Sequence, residues 1–87
     1  MKAITELKAL ITRICEEKMN IEVKPDVNPN EPIAQEFNLD SISLFELIVN
    51  LEEEFQFKVA DDDIDKVGKM NLEELHEFIQ RMQLIHG

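Results

Sequence analysis

The stretch Asn38-Leu39-Asp40-Ser41-Ile42-Ser43-Leu44-Phe45-Glu46-Leu47 joins an irregular segment to a strongly periodic one. Beyond it, apolar residues recur every three or four positions, at Leu44, Leu47, Ile48, Leu51 and Phe55. This spacing predicts a helix that begins near Asp40-Ser41 and buries one face. The stretch therefore places a serine hydroxyl at the end of a long loop and at the N-terminus of a helix.

Helical periodicity recurs on both sides of this segment. The first helix runs from about Lys2 to Lys18, with an apolar stripe of Ile4, Leu7, Leu10, Ile11, Ile14 and Cys15. The last helix follows Asn71, which forms a predicted capping box with Glu74. Its stripe consists of Leu72, Leu75, Phe78, Ile79, Met82 and Ile85. Between them, Asp61 to Val67 predicts one or two helical turns that Gly68 ends.

From Met19 to Leu39 the periodicity is absent, and Pro25, Pro29 and Pro32 indicate a long irregular connection. Its scattered apolar residues, Phe37 among them, predict that the loop packs across the helices. The predicted fold class is all-α: a four-helix bundle of three long helices and one short one, with a long first loop. Residues 1–87 are expected to form a single domain.

The composition narrows the class of partner. The net charge is -10, and the range 31–65 holds eleven acidic residues and one basic residue. Such a chain is not expected to bind nucleic acid or an anionic membrane, and its field favours basic protein surfaces. No stretch predicts a signal peptide or a membrane span. A single cysteine excludes an intrachain disulfide and a four-cysteine zinc site, and a cytoplasmic location is expected.

Two interpretations of Asp40 and Ser41 follow from the residues alone. Serine and aspartate are the usual N-caps of helices, so both residues can be ordinary caps. Alternatively, a phosphate carried on the Ser41 hydroxyl would be stabilised by the free amides and partial positive charge of the helix N-terminus.

The wider pattern resembles the acyl carrier protein family. The resemblance lies in Asp40-Ser41-Ile42, then Glu46-Leu47, then the run 51–55 (Leu-Glu-Glu-Glu-Phe), followed by an acidic turn. It implies that Ser41 carries 4'-phosphopantetheine donated by coenzyme A and that Asp40 supports this site. The arm ends in a thiol that holds acyl cargo as a thioester.

The resemblance also implies a docking face on the helix that follows Ser41. Its residues would be Phe45, Glu46, Val49, Glu52 and Glu53. The partners would be a phosphopantetheinyl transferase and acyl-transferring synthases or ligases with basic docking patches. From the residues alone, Phe45 is equally consistent with a place in the core, because it lies beside the apolar stripe. The carrier is expected to be a monomer.

Three residues depart from the family pattern: Asn38 replaces a glycine, Ser43 an acidic residue and Ala60 a proline. Asparagine tolerates a left-handed backbone, so the turn before Asp40 is expected to survive. The strong negative charge and the run 51–55 resemble the acyl rather than the peptidyl branch of the family. Fatty acid, polyketide and peptide pathways all stay open, and Ser43 suggests a specialised pathway.

The same residues also permit functions other than that of a carrier. An unmodified acidic helical adaptor would use the same docking face and would not need Ser41. An enzyme is not expected, since His76 and His86 stand in no nucleophile or metal pattern, and no catalytic residue is assigned. The run 61–72 matches a calcium loop only in its aspartates and lacks the required glycine and final glutamate, so no metal site is predicted.

Overall fold

The computed structural model of the chain describes the backbone of residues 2–86 and the side chains of residues 4–84. All regular structure in that range is helical. The helices are α1 (Lys2–Glu17), α2 (Ile33–Glu36), α3 (Ser41–Phe55), α4 (Ile64–Lys69) and α5 (Leu72–His86), with a 3₁₀ turn at Asp61–Asp63 before α4. The predicted all-α class is confirmed, with one short helix more than the predicted four.

The predicted apolar stripes of α1, α3 and α5 face one shared interior. Its buried helical residues are Leu7, Ile11, Ile14, Cys15, Leu44, Leu47, Ile48, Leu51, Leu72, Leu75 and Ile79. The prediction that Ile85 extends the last stripe concerns a side chain outside the described range. Burial and the charge of Glu16 raise the pKa of the Cys15 thiol to about 11. Cys15 therefore packs as a neutral apolar group at physiological pH.

The short helix α2 lies inside the segment that was predicted to be irregular. Pro32, with φ of -56°, directly precedes it and presets the backbone angle with which a helix starts. Ile33 and Phe37 lie four residues apart, and each exposes 1% of its surface. One turn of helix is thus enough to bring both side chains into the core. The prediction that Phe37 packs across the bundle is confirmed.

The sequence predicts that Gly68 ends the short acidic helix, and this prediction is wrong. The helix α4 continues through Gly68 to Lys69. A Cβ atom at Gly68 would lie 2.6 Å from Cδ2 of Leu44 and 3.4 Å from Cβ of Ala34. Contact with two neighbouring helices, rather than helix termination, therefore explains the glycine. The backbone of α4 approaches α2 and the first turn of α3 at this point.

Hydrogen bonds fix both ends of the link between α3 and α5. The amide of Asn71 donates to Oε1 of Glu74 (3.0 Å) and the amide of Glu74 donates to Oδ1 of Asn71 (2.8 Å), which confirms the predicted capping box. At the other end, α3 stops at Gln56, whose left-handed backbone has φ of 58°. Nε2 of Gln83 donates to the Phe55 carbonyl (3.0 Å) and so ties α5 to the end of α3.

Candidate functional site

The candidate site lies where α2 leads into α3. Asn38 adopts the left-handed backbone expected at the position of the family glycine, with φ of 55°. The amide of Leu39 donates to the Ala34 carbonyl (2.8 Å). Asp40 then takes the extended N-cap conformation, and its Oδ1 accepts the Ser43 amide at 2.7 Å. The turn and the cap together fix where α3 begins.

Ser41 is the first residue of α3, and its side chain is exposed. Asp40, not Ser41, supplies the capping carboxylate, so the interpretation of Ser41 as a cap is wrong. Within the described range the Ser41 hydroxyl takes part in none of the side-chain hydrogen bonds. An exposed hydroxyl without a structural task, at the N-terminus of a fifteen-residue helix, fits a bulky phosphate ester.

The Asp40 carboxylate has a pKa below its usual value because the Ser43 amide and hydroxyl hydrogen-bond to it. A carboxyl group with a lowered folded-state pKa adds stability above its unfolded pKa, and that stability is lost as the pH falls through the folded pKa. We expect Asp40→Ala to reduce stability at neutral pH. The difference from the wild type should shrink below about pH 4.

Urea unfolding followed by circular dichroism at several pH values would measure this difference. The matched control is Asp62→Ala in the 3₁₀ turn, since Asp62 is also an exposed aspartate. A stability loss in Asp40→Ala that stayed constant from neutral to acid pH would contradict the capping argument.

An apolar strip flanks Ser41 on the exposed side of α3. Phe45 exposes 51% of its surface and Ile42 exposes 71%, while Val49 is half-buried. These residues follow one another at spacings of three and four, so they lie on one flank of the helix. Phe45 is therefore not part of the core. Ile42 was missed in the sequence analysis, although its spacing from Phe45 gives the signal.

The three predicted docking glutamates do not behave alike. Glu46 and Glu53 are exposed. Glu52 is half-buried, and its Oε2 accepts the Val59 amide at 2.7 Å. Its carboxylate thus holds the loop that follows α3. We name the surface formed by Ile42, Phe45, Glu46, Val49 and Glu53 the α3 face.

The described part of the chain shows no sign of two other kinds of site, a metal centre and a membrane span. Those residues contain no cluster of three or more histidine, cysteine, aspartate or glutamate side chains that could hold a metal ion. His76 is half-buried on α5. None of the described helices is long and apolar enough to cross a membrane.

Comparison with known proteins supports the resemblance to acyl carrier proteins. Residues 9–79 match the family model described as "Phosphopantetheine attachment site". An acyl carrier protein of Desulforapulum autotrophicum is 32% identical over 65 residues, which cover 75% of this chain and 84% of that protein. One of Chlorobium phaeovibrioides is 32% identical over 63 residues, or 72% of this chain and 80% of that protein.

Two further acyl carrier proteins match different shares of this chain. An acyl carrier protein of Chlamydia felis is 40% identical over 42 residues, and the match spans 48% of this chain and about half, 54%, of that protein. The crystal structure of an acyl carrier protein from Thermotoga maritima superimposes with a TM-score of 0.77. The superposition covers 98% of this chain and 95% of the Thermotoga maritima chain at 22% sequence identity. It therefore supports the fold.

Proposed function

The chain belongs to the acyl carrier protein family, whose members carry acyl groups on phosphopantetheine, and we propose that Ser41 is its attachment residue. The observation that carries the proposal is the exposed Ser41 hydroxyl at the first residue of α3. Ser43, the other serine of the chain, is half-buried, and its amide is engaged by Asp40.

In the proposed attachment step, Oγ of Ser41 attacks the phosphorus of coenzyme A that bears the pantetheine. A phosphodiester bond forms, the pyrophosphate bond breaks, and adenosine 3',5'-bisphosphate leaves. The serine proton passes to a base on the transferase. Asp40 supports the step by fixing the first turn of α3, which points the helix amides at the new phosphate. Once attached, the arm supplies a thiol for thioester exchange.

The proposal assigns docking of the transferase and of acyl-transferring synthases or ligases to the α3 face. The exposed aromatic ring of Phe45, rimmed by Glu46 and Glu53, has the composition of a transient interface. Basic patches on the partners would be drawn to it by the net charge of -10. Glu52 contributes by holding the loop beside this face through the Val59 amide.

Reversing one charge on the α3 face should weaken docking. We expect Glu46→Lys to lower kcat/KM for the transferase by roughly tenfold, because a like charge then faces the partner's basic patch. The loss should shrink as ionic strength rises. The matched control is Glu77→Lys, an exposed glutamate on α5, which changes the net charge equally. Equal losses in both variants would show that only the overall charge matters.

The proposal also covers the role, oligomeric state, location and cargo of the protein. We infer that the protein acts as a carrier without catalysis of its own, as a monomer in the cytoplasm, and that residues 1–87 form one domain. We propose acyl rather than peptidyl cargo, because the negative charge and the run 51–55 resemble the acyl branch of the family. Testing which synthase extracts accept the loaded protein would distinguish fatty acid from polyketide intermediates.

The decisive test is the intact mass of the protein after incubation with coenzyme A and a broad-specificity phosphopantetheinyl transferase. We expect a gain of one phosphopantetheine, located by fragmentation on Ser41. No gain, with a folded protein and a transferase that modifies another carrier, would reject the assignment and favour an unmodified acidic adaptor. A gain located on Ser43 would move the site.

A further inference from the structure

Among the described side chains, Glu36 is the one charged residue that is buried, with 6% of its surface exposed. Its Oε1 accepts the Asn28 amide at 2.7 Å and pairs with Nζ of Lys24 at 2.9 Å. Nε2 of Gln35 reaches its other oxygen at 3.5 Å. A carboxylate is costly to bury unless hydrogen bonds and an opposite charge compensate for lost water. We call Lys24, Asn28 and Glu36 the Glu36 clamp.

The Glu36 clamp joins the loop between α1 and α2 to the last residue of α2. The same loop and the first residue of α2 are bound to the junction of α4 and α5. The Leu72 amide donates to the Pro29 carbonyl of the loop (3.3 Å), and the Ile33 amide donates to the Met70 carbonyl (2.9 Å). The loop and α2 are therefore held at both ends. The clamp is the part of this arrangement that depends on a side-chain charge.

The clamp lies one short turn before the proposed attachment residue. The four residues between Glu36 and Ser41 include the left-handed Asn38 and the N-cap Asp40. Because the Leu39 amide is bound to the Ala34 carbonyl, this turn is built on α2. A shift of α2 would therefore be passed to the first turn of α3.

We propose that Glu36 is a positioning residue for Ser41: the clamp holds α2 and the turn after it so that Ser41 is presented in the geometry that the modifying enzyme binds. The inference rests on the proposed function of Ser41. The clamp sets the fraction of molecules in which Ser41 is correctly presented. If the clamp is lost, the chain stays folded but presents Ser41 correctly only part of the time, which raises the apparent dissociation constant in proportion.

The protonation states agree with this role. The Asn28 amide and the Lys24 ammonium lower the pKa of Glu36, and the Glu36 hydrogen bond raises the pKa of Lys24, with Asp26 and Glu31 acting in the same direction. Both partners of the ion pair are therefore charged at physiological pH.

The test compares Glu36→Gln with the wild type. Glutamine keeps the size and an oxygen for the Asn28 amide but removes the charge that pairs with Lys24. We expect KM for the transferase to rise roughly fivefold or more while kcat stays within about twofold. Lys24→Met, at a half-exposed position, should change KM in the same direction. The matched control is Arg13→Met, which removes an exposed ion pair with Glu17 on α1.

A second readout separates positioning from stability and from the proposed function. Hydrogen exchange of the Leu39 and Ser43 amides should become roughly tenfold faster in Glu36→Gln, while exchange of the Ile79 amide in α5 stays unchanged. If all three amides speed up equally, or if Leu39 and Ser43 do not change, the inference is wrong. Since this measurement needs no transferase, it decides the role of Glu36 even if Ser41 proves not to be the attachment residue.

Discussion

Ser41→Ala is expected to abolish loading with phosphopantetheine and to leave the fold unchanged. Alanine lacks the hydroxyl that forms the phosphodiester, so no mass gain should be detectable under conditions in which the wild type is fully converted. Stability should change by less than about 0.5 kcal/mol, because the capping carboxylate belongs to Asp40 and accepts the Ser43 amide. Intact mass and urea unfolding measure the two effects.

Ser43→Ala is the matched control, since it removes the other serine hydroxyl two residues away. It keeps the backbone amide that donates to Asp40, so it should load normally. The pair of variants thus distinguishes a specific attachment residue from a general need for serine in this turn. Loading of Ser41→Ala, or loss of loading in both variants, would contradict the assignment of Ser41.

Phe37→Ala is expected to cause the largest loss of stability. Phe37 is 1% exposed and stands at the C-terminal cap of α2. Removing a buried phenylalanine costs about 3–5 kcal/mol, against roughly 5–15 kcal/mol for the unfolding of a whole domain. At about 4–8 °C for each kcal/mol, Tm should fall by more than ~10 °C. Thermal unfolding followed by circular dichroism measures the change.

Phe45→Ala makes the same chemical change at a position where 51% of the residue's surface is exposed. We expect it to cost less than about 1 kcal/mol in stability. Its effect should instead appear as weaker docking on the α3 face. If the two variants were destabilised equally, Phe45 would belong to the core, and the proposed docking face would lose its central residue.

Periodicity alone predicted the three long helices because each has an apolar stripe that must be buried. The stripe from Leu44 to Phe55 fixed α3, and the capping box of Asn71 and Glu74 fixed the start of α5. The loop-to-helix position of Ser41 was also predicted, and the left-handed turn at Asn38 was expected from the resemblance to a family with glycine at that position. These features depend on hydrogen bonds and side-chain spacings within a few residues, which a sequence displays directly.

The sequence by itself thus determined the helical class, the start of α3 and the exposed candidate serine. Only the tertiary structure decided that a further helix follows Pro32, that Gly68 lies against Leu44 and Ala34, and that Phe45 faces outward. It also paired Lys24 with Glu36, twelve positions apart and outside any helical period. Such contacts depend on how the helices pack against one another, and local spacing does not encode that packing.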